Sequence, residues 1–273
     1  MHNLLFVLSH ALVFPQQPNI YLEIVGNSNS EKDWAFFAPH ETEFVANQYV
    51  AEKIVDKGGV FVVLRQHGER LITFNINNKE VKIDPNRMFT RHGRIESLKK
   101  QNPTISEQSP LITQAEQLAE KLSHFVLASL NGTKPPSTLV AMHNNTNGYT
   151  GDGKDGYGDV SIIRYQKKLA SGANYLIDVT QGDHDEDDLY FLTDKNDFAT
   201  TKQYGWNAVL QNPEVAFDPE EDDGSLSVYA EMKGYRYINV EAERENNGQG
   251  ENHLSVQTQM VDFVFTLLED KNK

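Results

Sequence analysis

The residues of this chain best equipped for chemistry stand in Trp34-Ala-Phe-Phe-Ala-Pro-His40-Glu-Thr-Glu43, where a histidine and a glutamate lie three residues apart behind a short apolar run. A catalytic Zn²⁺ takes neutral imidazole nitrogens and carboxylate oxygens at about 2 Å, and a chain turning out of a strand can aim two such side chains at one point. The pair alone is weak, because His-x-x-Glu arises often by chance in a chain rich in Glu. A third ligand and an acid/base partner are needed, and His143 and Glu241 each stand beside a strand-like run. Two ligands on a short spacer, then a third about a hundred residues on, is the pattern of a His₂Glu zinc site that keeps one coordination position open.

Those groups need elements to position them. Residues 20–25 and Trp34–Ala38 read as strands separated by the turn-rich Gly26-Asn-Ser-Asn-Ser30. After His40 the pattern turns helical, with Ala46, Tyr49, Val50 and Ile54 on one face and Gly58-Gly59 at the stop. His40 and Glu43 therefore fall at a strand-to-helix junction, the carboxyl edge of an open α/β sheet, where ligands bind. Val60–Leu64 reads as a buried strand, and Leu71–Ile76 with Val81–Ile83 as a hairpin about Asn77-Asn78 that delivers Asp84-Pro-Asn86-Arg87-Met-Phe89. Residues 91–112, with two prolines and several Gln and Ser, read as a surface excursion. Thr113-Gln-Ala-Glu116 reads as a capping box opening a helix with Ala115, Leu118, Ala119 and Leu122 inward.

Thr138–Met142 is a further strand, ending on His143-Asn-Asn-Thr-Asn-Gly148. The stretch from Gly148 to Gly158 reads as a mobile loop over or beside the site, with Tyr149 and Tyr157 either lid residues or surface aromatics. Strands are expected at Tyr175–Val179, Leu189–Leu192, Ala208–Leu210 and Tyr237–Val240, with polar loops between them. A last helix over 254–269 aligns Met260, Val264, Leu267 and Leu268.

Composition narrows the class. At 273 residues with 38% hydrophobic content, one α/β domain is expected over residues 20–273. Residues 1–19 form an apolar lead-in that is either a buried first strand or an export signal, which leaves cytoplasmic and exported or periplasmic locations both open. No other stretch is apolar enough to span a membrane. A net charge of −14 argues against nucleic acid, whose phosphates demand a basic surface. With no cysteine, thiolate metal sites and Cys nucleophiles are excluded.

Taken in order, His40-x-x-Glu43, Asp84-Pro-Asn86-Arg87-Met-Phe89, Met142-His143-Asn-Asn-Thr146 and Val240-Glu241-Ala242 resemble the zinc carboxypeptidase superfamily, most closely its aspartoacylase/succinylglutamate desuccinylase branch. The motifs span residues 34 to 243. The resemblance implies a single-domain α/β fold of the zinc carboxypeptidase-like, phosphorylase/hydrolase-like type: a mixed, mostly parallel sheet with helices on both faces. It implies one Zn²⁺ per chain on His40, Glu43 and His143, a substrate carboxylate gripped by Asn86 and Arg87, and Glu241 as general base. Asn144 is a candidate for the substrate site beside them. The branch also supplies an arginine to stabilise the oxyanion; here the spacing differs, leaving Arg70 or Arg65, of which Arg70 opens the strand toward Asp84. The chain also departs in reading Glu241-Ala-Glu243-Arg-Glu245 where the branch has Glu-Val-Gly-Pro, and period two places all three glutamates on one face, so Glu243 rivals Glu241.

Asp84 is expected to brace Arg87 or cap its loop rather than touch substrate. His184-Asp-Glu-Asp-Asp188 and Glu220-Glu-Asp-Asp223 lack the spacing of a calcium-binding EF-hand and read as solvated acidic loops. The expected function is zinc-dependent hydrolysis of an amide or peptide bond adjacent to a free carboxylate, on a small molecule or a peptide end. The alternative is a non-catalytic carboxylate- or peptide-binding protein on the same fold.

Overall fold

All five residues of Trp34–Ala38 are buried, which is how a strand reads when helices cover both faces of its sheet. The computed structural model describes residues 9–26, 31–44, 46–131, 135–146, 148–149, 158, 160–244 and 254–270. Its strands are β1 (Ser9–Val13), β2 (Tyr21–Gly26), β3 (Trp34–Ala38), β4 (Val60–Arg65), β5 (Ile72–Ile76), β6 (Lys79–Ile83), β7 (Thr138–Thr146), β8 (Leu176–Thr180), β9 (Leu189–Leu192), β10 (Asn207–Gln211) and β11 (Arg236–Arg244). Its helices are α1 (Asn47–Lys57), α2 (Arg91–Gln101), α3 (Pro110–Asn131), α4 (Ile162–Ala170), α5 (Lys195–Gln203), α6 (Leu226–Lys233) and α7 (Leu254–Asp270).

Nine strands form one sheet in the order β1-β2-β4-β3-β7-β11-β9-β10-β8, and β5-β6 make a separate hairpin. The centre, β4-β3-β7-β11, is parallel. Only β2, β9 and β10 run against the other six strands, so the sheet is mixed and mostly parallel. Period two splits the core: Ala35 and Phe37 pack with Ala115, Leu122 and Val126 of α3, while Trp34 and Phe36 pack with Ile54 of α1 and Phe265 of α7. Among the described residues no helix is long and apolar enough to cross a membrane.

Several expectations change. β1 is an edge strand paired with β2, and Leu12 and Val13 are 38% and 52% exposed, so this stretch is not buried; residues 1–8 lie outside the described ones. The 91–112 region is α2 and the start of α3. Its helical face was hidden because the buried side of α2 is largely polar: Arg94 and Ser97 lie inside with Leu98, and Thr90 caps it by accepting from Gly93 N. Arg94 is held by Glu116 at 2.9 Å and Glu120 at 3.2 Å, so Glu116 serves a buried ion pair and α3 begins earlier, at Pro110. α5 and α6 occupy stretches read as polar loops, and α4 a stretch given no element, although Ser161, Asp194 and Ser225 each accept a first-turn N–H.

The change that matters most concerns β7 and β11. Both run on past Met142 and Val240, paired in nine-residue register from Arg236↔Thr138 to Arg244↔Thr146. His143 and Glu241 are therefore strand residues, carried on the most rigid elements available.

Candidate metal centre

β3 ends at Ala38, and after Pro39 the chain turns, with Glu43 N donating to the His40 carbonyl at 3.0 Å. That turn folds the two side chains back on one another, so His40 Nδ1 lies 3.0 Å from Glu43 Oε2. His143, arriving from β7, puts its own Nδ1 2.8 Å from the same oxygen. The three residues are 2%, 5% and 5% exposed, and their donor atoms lie within 4.8 Å of one another. Three side chains spread over 100 residues of sequence meet at the carboxyl edge of the parallel strands, and this group can hold a metal ion.

Protonation follows from burial. Desolvation lowers the His40 pKa against the opposing pull of Asp84, and lowers that of His143 to about 4 against Glu241. Both rings are neutral at pH 7. Asp84 Oδ1 lies 2.9 Å from His40 Nε2 and Glu43 Oε2 3.0 Å from its Nδ1, so a neutral ring donates to one carboxylate and turns its lone pair on the other. Burial works to raise the Asp84 carboxyl, but its hydrogen bond to His40, the Arg87 charge and the bond from Asn86 N hold it well below the usual carboxylate range. Asp84 is itself fixed by accepting from Asn86 N at 2.9 Å, while its own N–H donates to Ser97 Oγ. Asp84, expected to brace Arg87 or cap its loop, does cap the Pro85–Arg87 turn and also orients a candidate ligand.

Glu241 stands beside His143 as its register partner, and its Oε1 accepts from Asn239 Nδ2 at 3.0 Å. Arg70 reaches the centre, where its guanidinium contacts Glu43 Oε1; Arg65 does not, being paired with Glu23 at 2.7 Å. Glu243 points to a different group, with Asp185 and Asp187.

The cavity over these residues measures about 1020 Å³ and also takes in Arg87, Arg164, Tyr165 and Gln211. A smaller one, about 460 Å³, opens at the opposite ends of β3, β7 and β11, among Trp34, Thr138 and Arg236, and holds none of these groups.

No family model matches the chain, nor does any curated protein. Its fold is similar to solved structures. Succinylglutamate desuccinylase from Chromobacterium violaceum is 12% identical, with a TM-score of 0.40 over 94% of this chain and 71% of that one. A candidate metallopeptidase from Shewanella amazonensis is 10% identical, with a TM-score of 0.35 over 92% and 82%.

Asn86 and Asn144, the two asparagines expected at the substrate site, both border the cavity and have partners within the protein. The Asn144 side chain turns to the other side of the sheet, where its Nδ2 donates to Gln257 Oε1 of α7 at 3.0 Å, while its backbone N–H stays at the centre, 3.4 Å from Glu43 Oε2. Asn86 lines the cavity but lies 3.4 Å from His143 Nε2 and accepts from Leu226 N, so it steadies a ring and the start of α6. Arg87 does open on the cavity, with Asp223 Oδ2 at 3.3 Å. The acidic run 220–223 is accordingly more than a solvated loop: Asp222 accepts from Thr90 Oγ1 and Asp223 faces Arg87. Arg164 has no counterpart in the sequence reading, since α4 went unread and nothing in the local pattern marks one arginine from another. Tyr149 lies under Lys167, whose Nζ is 5.2 Å from its ring centre; most of the 148–158 loop, Tyr157 included, lies outside the described residues.

Proposed function

We propose that this chain is a zinc-dependent hydrolase of an amide or peptide bond next to a free carboxylate, with one Zn²⁺ held by His40, Glu43 and His143. One observation carries the reading. A neutral His40 has one ring proton for two carboxylate oxygens, Asp84 Oδ1 at 2.9 Å and Glu43 Oε2 at 3.0 Å, so its lone pair faces one of them, and His143 Nδ1 meets that same Glu43 oxygen. Acceptor facing acceptor in a buried site is unfavourable unless a cation sits between them. Two imidazole nitrogens and a carboxylate, one ring backed by a second carboxylate, form the donor set of a catalytic zinc site. Bound there, the ion would supply a Lewis acid and lower the pKa of water at the open position.

The chain's own residues do the rest. Glu241 is the general base: its carboxylate takes a proton from the attacking water and delivers it to the leaving nitrogen as the C–O bond forms and the C–N bond breaks. The Arg87 guanidinium meets the substrate carboxylate through paired charge-assisted hydrogen bonds, which sets the register of the scissile bond. Arg70, half exposed and beside Glu43, is placed to balance charge developing on the carbonyl oxygen.

The test is hydrolysis of a panel of N-acyl amino acids and short C-terminal peptides by the chelator-stripped protein, before and after Zn²⁺ is restored. Turnover that returns with zinc and vanishes in Glu241→Gln supports the reading. Turnover indifferent to chelation, or none on any carboxylate-bearing amide, defeats it.

A further inference from the structure

A second group of oxygen donors lies two residues further along the same two strands. The register that sets Glu241 opposite His143 also sets Glu243 opposite Asn145, and period two puts all four on one face. Over them closes the 185–188 turn, which the sequence reading left in solvent. Carboxyl oxygens of Asp185, Asp187 and Glu243 lie within 4.8 Å of one another, and Asp187 and Glu243 are each 1% exposed. Carboxylates gathered this closely out of water repel one another strongly.

Asp185 Oδ1 accepts from Asp187 N at 3.1 Å and Asp187 Oδ2 accepts from Gly148 N, but the turn is also held by contacts that do not use these carboxylates. Asn207 Nδ2 donates to the carbonyls of Asp185 at 2.5 Å and Asp188 at 3.0 Å, and Ile162 N donates to the Glu186 carbonyl at 2.8 Å. The acidic groups are thus brought together by a scaffold rather than drifting in a loose loop.

An independent sign of a ligand comes from Asn145, which is neutral and 9% exposed. Its Nδ2 donates to the Asp187 carbonyl at 2.6 Å, which holds the amide against the turn, on the strand position that is the register partner of Glu243. Its Oδ1 is buried, and no donor among the described residues reaches it; the same holds for Asp187 Oδ1. Buried oxygens left without a donor, one of them an amide carbonyl, lie where an incoming cation would satisfy them.

We propose that Asp185, Asp187, Glu243 and the Asn145 carbonyl bind a calcium ion, at a site distinct from the His40–Glu43–His143 centre, tying the 185–188 turn to the carboxyl ends of β7 and β11. The donors are all hard oxygens, with no nitrogen or sulfur to favour a transition metal. Ca²⁺ accepts flexible carboxylates and carbonyls in irregular arrays, whereas Mg²⁺ requires a near-regular octahedron and gives up its water reluctantly. The inference does not depend on the hydrolase reading.

Calcium alone, titrated calorimetrically into the full chain and followed by thermal unfolding, tests it. One Ca²⁺ per chain and a raised Tm are expected. Asp185→Asn, at the exposed rim where a neutral isostere leaves the fold intact, and Asn145→Ala are each expected to weaken binding about tenfold or more. His143→Ala is expected to leave calcium affinity within about twofold, since its donors belong to the other centre. The absence of a calcium-dependent heat and Tm shift overturns the proposal, as would result from carboxyls that merely share protons. So does calcium binding that survives both Asp185→Asn and Asn145→Ala, or that His143→Ala abolishes.

Discussion

Glu241 and His143 are register partners on adjacent parallel strands, and both side chains face the large cavity. That position favours Glu241 for the base role proposed above, since Glu243 joins Asp185 and Asp187 instead. Glu241→Gln should keep its metal and fold while lowering kcat by about 10²–10⁴-fold. Steady-state kinetics with metal analysis on the same sample checks this; full activity in the variant would move the base elsewhere.

The His40 Nε2 to Asp84 contact at 2.9 Å predicts a metal-affinity effect without loss of a ligand. Asp84→Asn should weaken zinc binding by about 10–100-fold. Competition with a chromophoric chelator measures it, and an unchanged affinity would mean that Asp84 serves only its local turn.

Arg87→Lys keeps the positive charge but loses the planar fork. With a carboxylate-bearing substrate, kcat/KM should fall by about 30-fold, corresponding to roughly 2 kcal/mol. With the matching amide-capped substrate the variant and the parent should be nearly equal. Equal losses on both would show that Arg87 holds the fold, through Asp223, rather than the substrate.

Acid should destabilise the metal-free protein in a defined window. His143 has a folded-state pKa of about 4, below the unfolded value of 6.5, because it is buried. Between those values the unfolded chain binds a proton that the folded chain does not, so stability falls as pH drops from about 6.5 to 4 and this contribution levels off below that. The full effect of this one ring is about 3 kcal/mol, with His40 acting in the same direction. Urea unfolding at stepped pH reads it, and His143→Gln should flatten the slope.

Glu116 offers a stability test of the corrected helix boundary. Were it a capping residue, Glu116→Gln would cost little. Because it instead neutralises Arg94, which is 6% exposed, the variant should lose about 2 kcal/mol, part of the charge being retained through Glu120. The loss should largely vanish in an Arg94→Met background.

Much of the centre was legible because its residues sit where period and punctuation are strongest. The apolar run before His40 and the glycines after α1 fix a strand-turn-helix unit, and the Asn77-Asn78 turn, with φ of 51° and 61°, delivers Asp84 to its place. Helix α4 does carry a strong apolar stripe, with Ile162, Tyr165 and Leu169 packed on one cluster, whereas α2, α5 and α6 are not legible from apolar periodicity. They bury polar groups or only a few apolar ones, such as Arg94 with Leu98 or Phe198 alone among the large side chains of α5. The acidic 184–188 string misled for a related reason: its burial depends on Asn145 and Glu243, distant in sequence, and no local pattern reports a long-range neighbour.

The most direct measurement is zinc stoichiometry by elemental analysis on the parent protein and on His40→Ala and His143→Ala. The account predicts one zinc per chain in the parent and near-complete loss in each variant, with the fold retained by circular dichroism. Zinc that persists in both variants, or none bound by the parent from a zinc-replete solution, would contradict it.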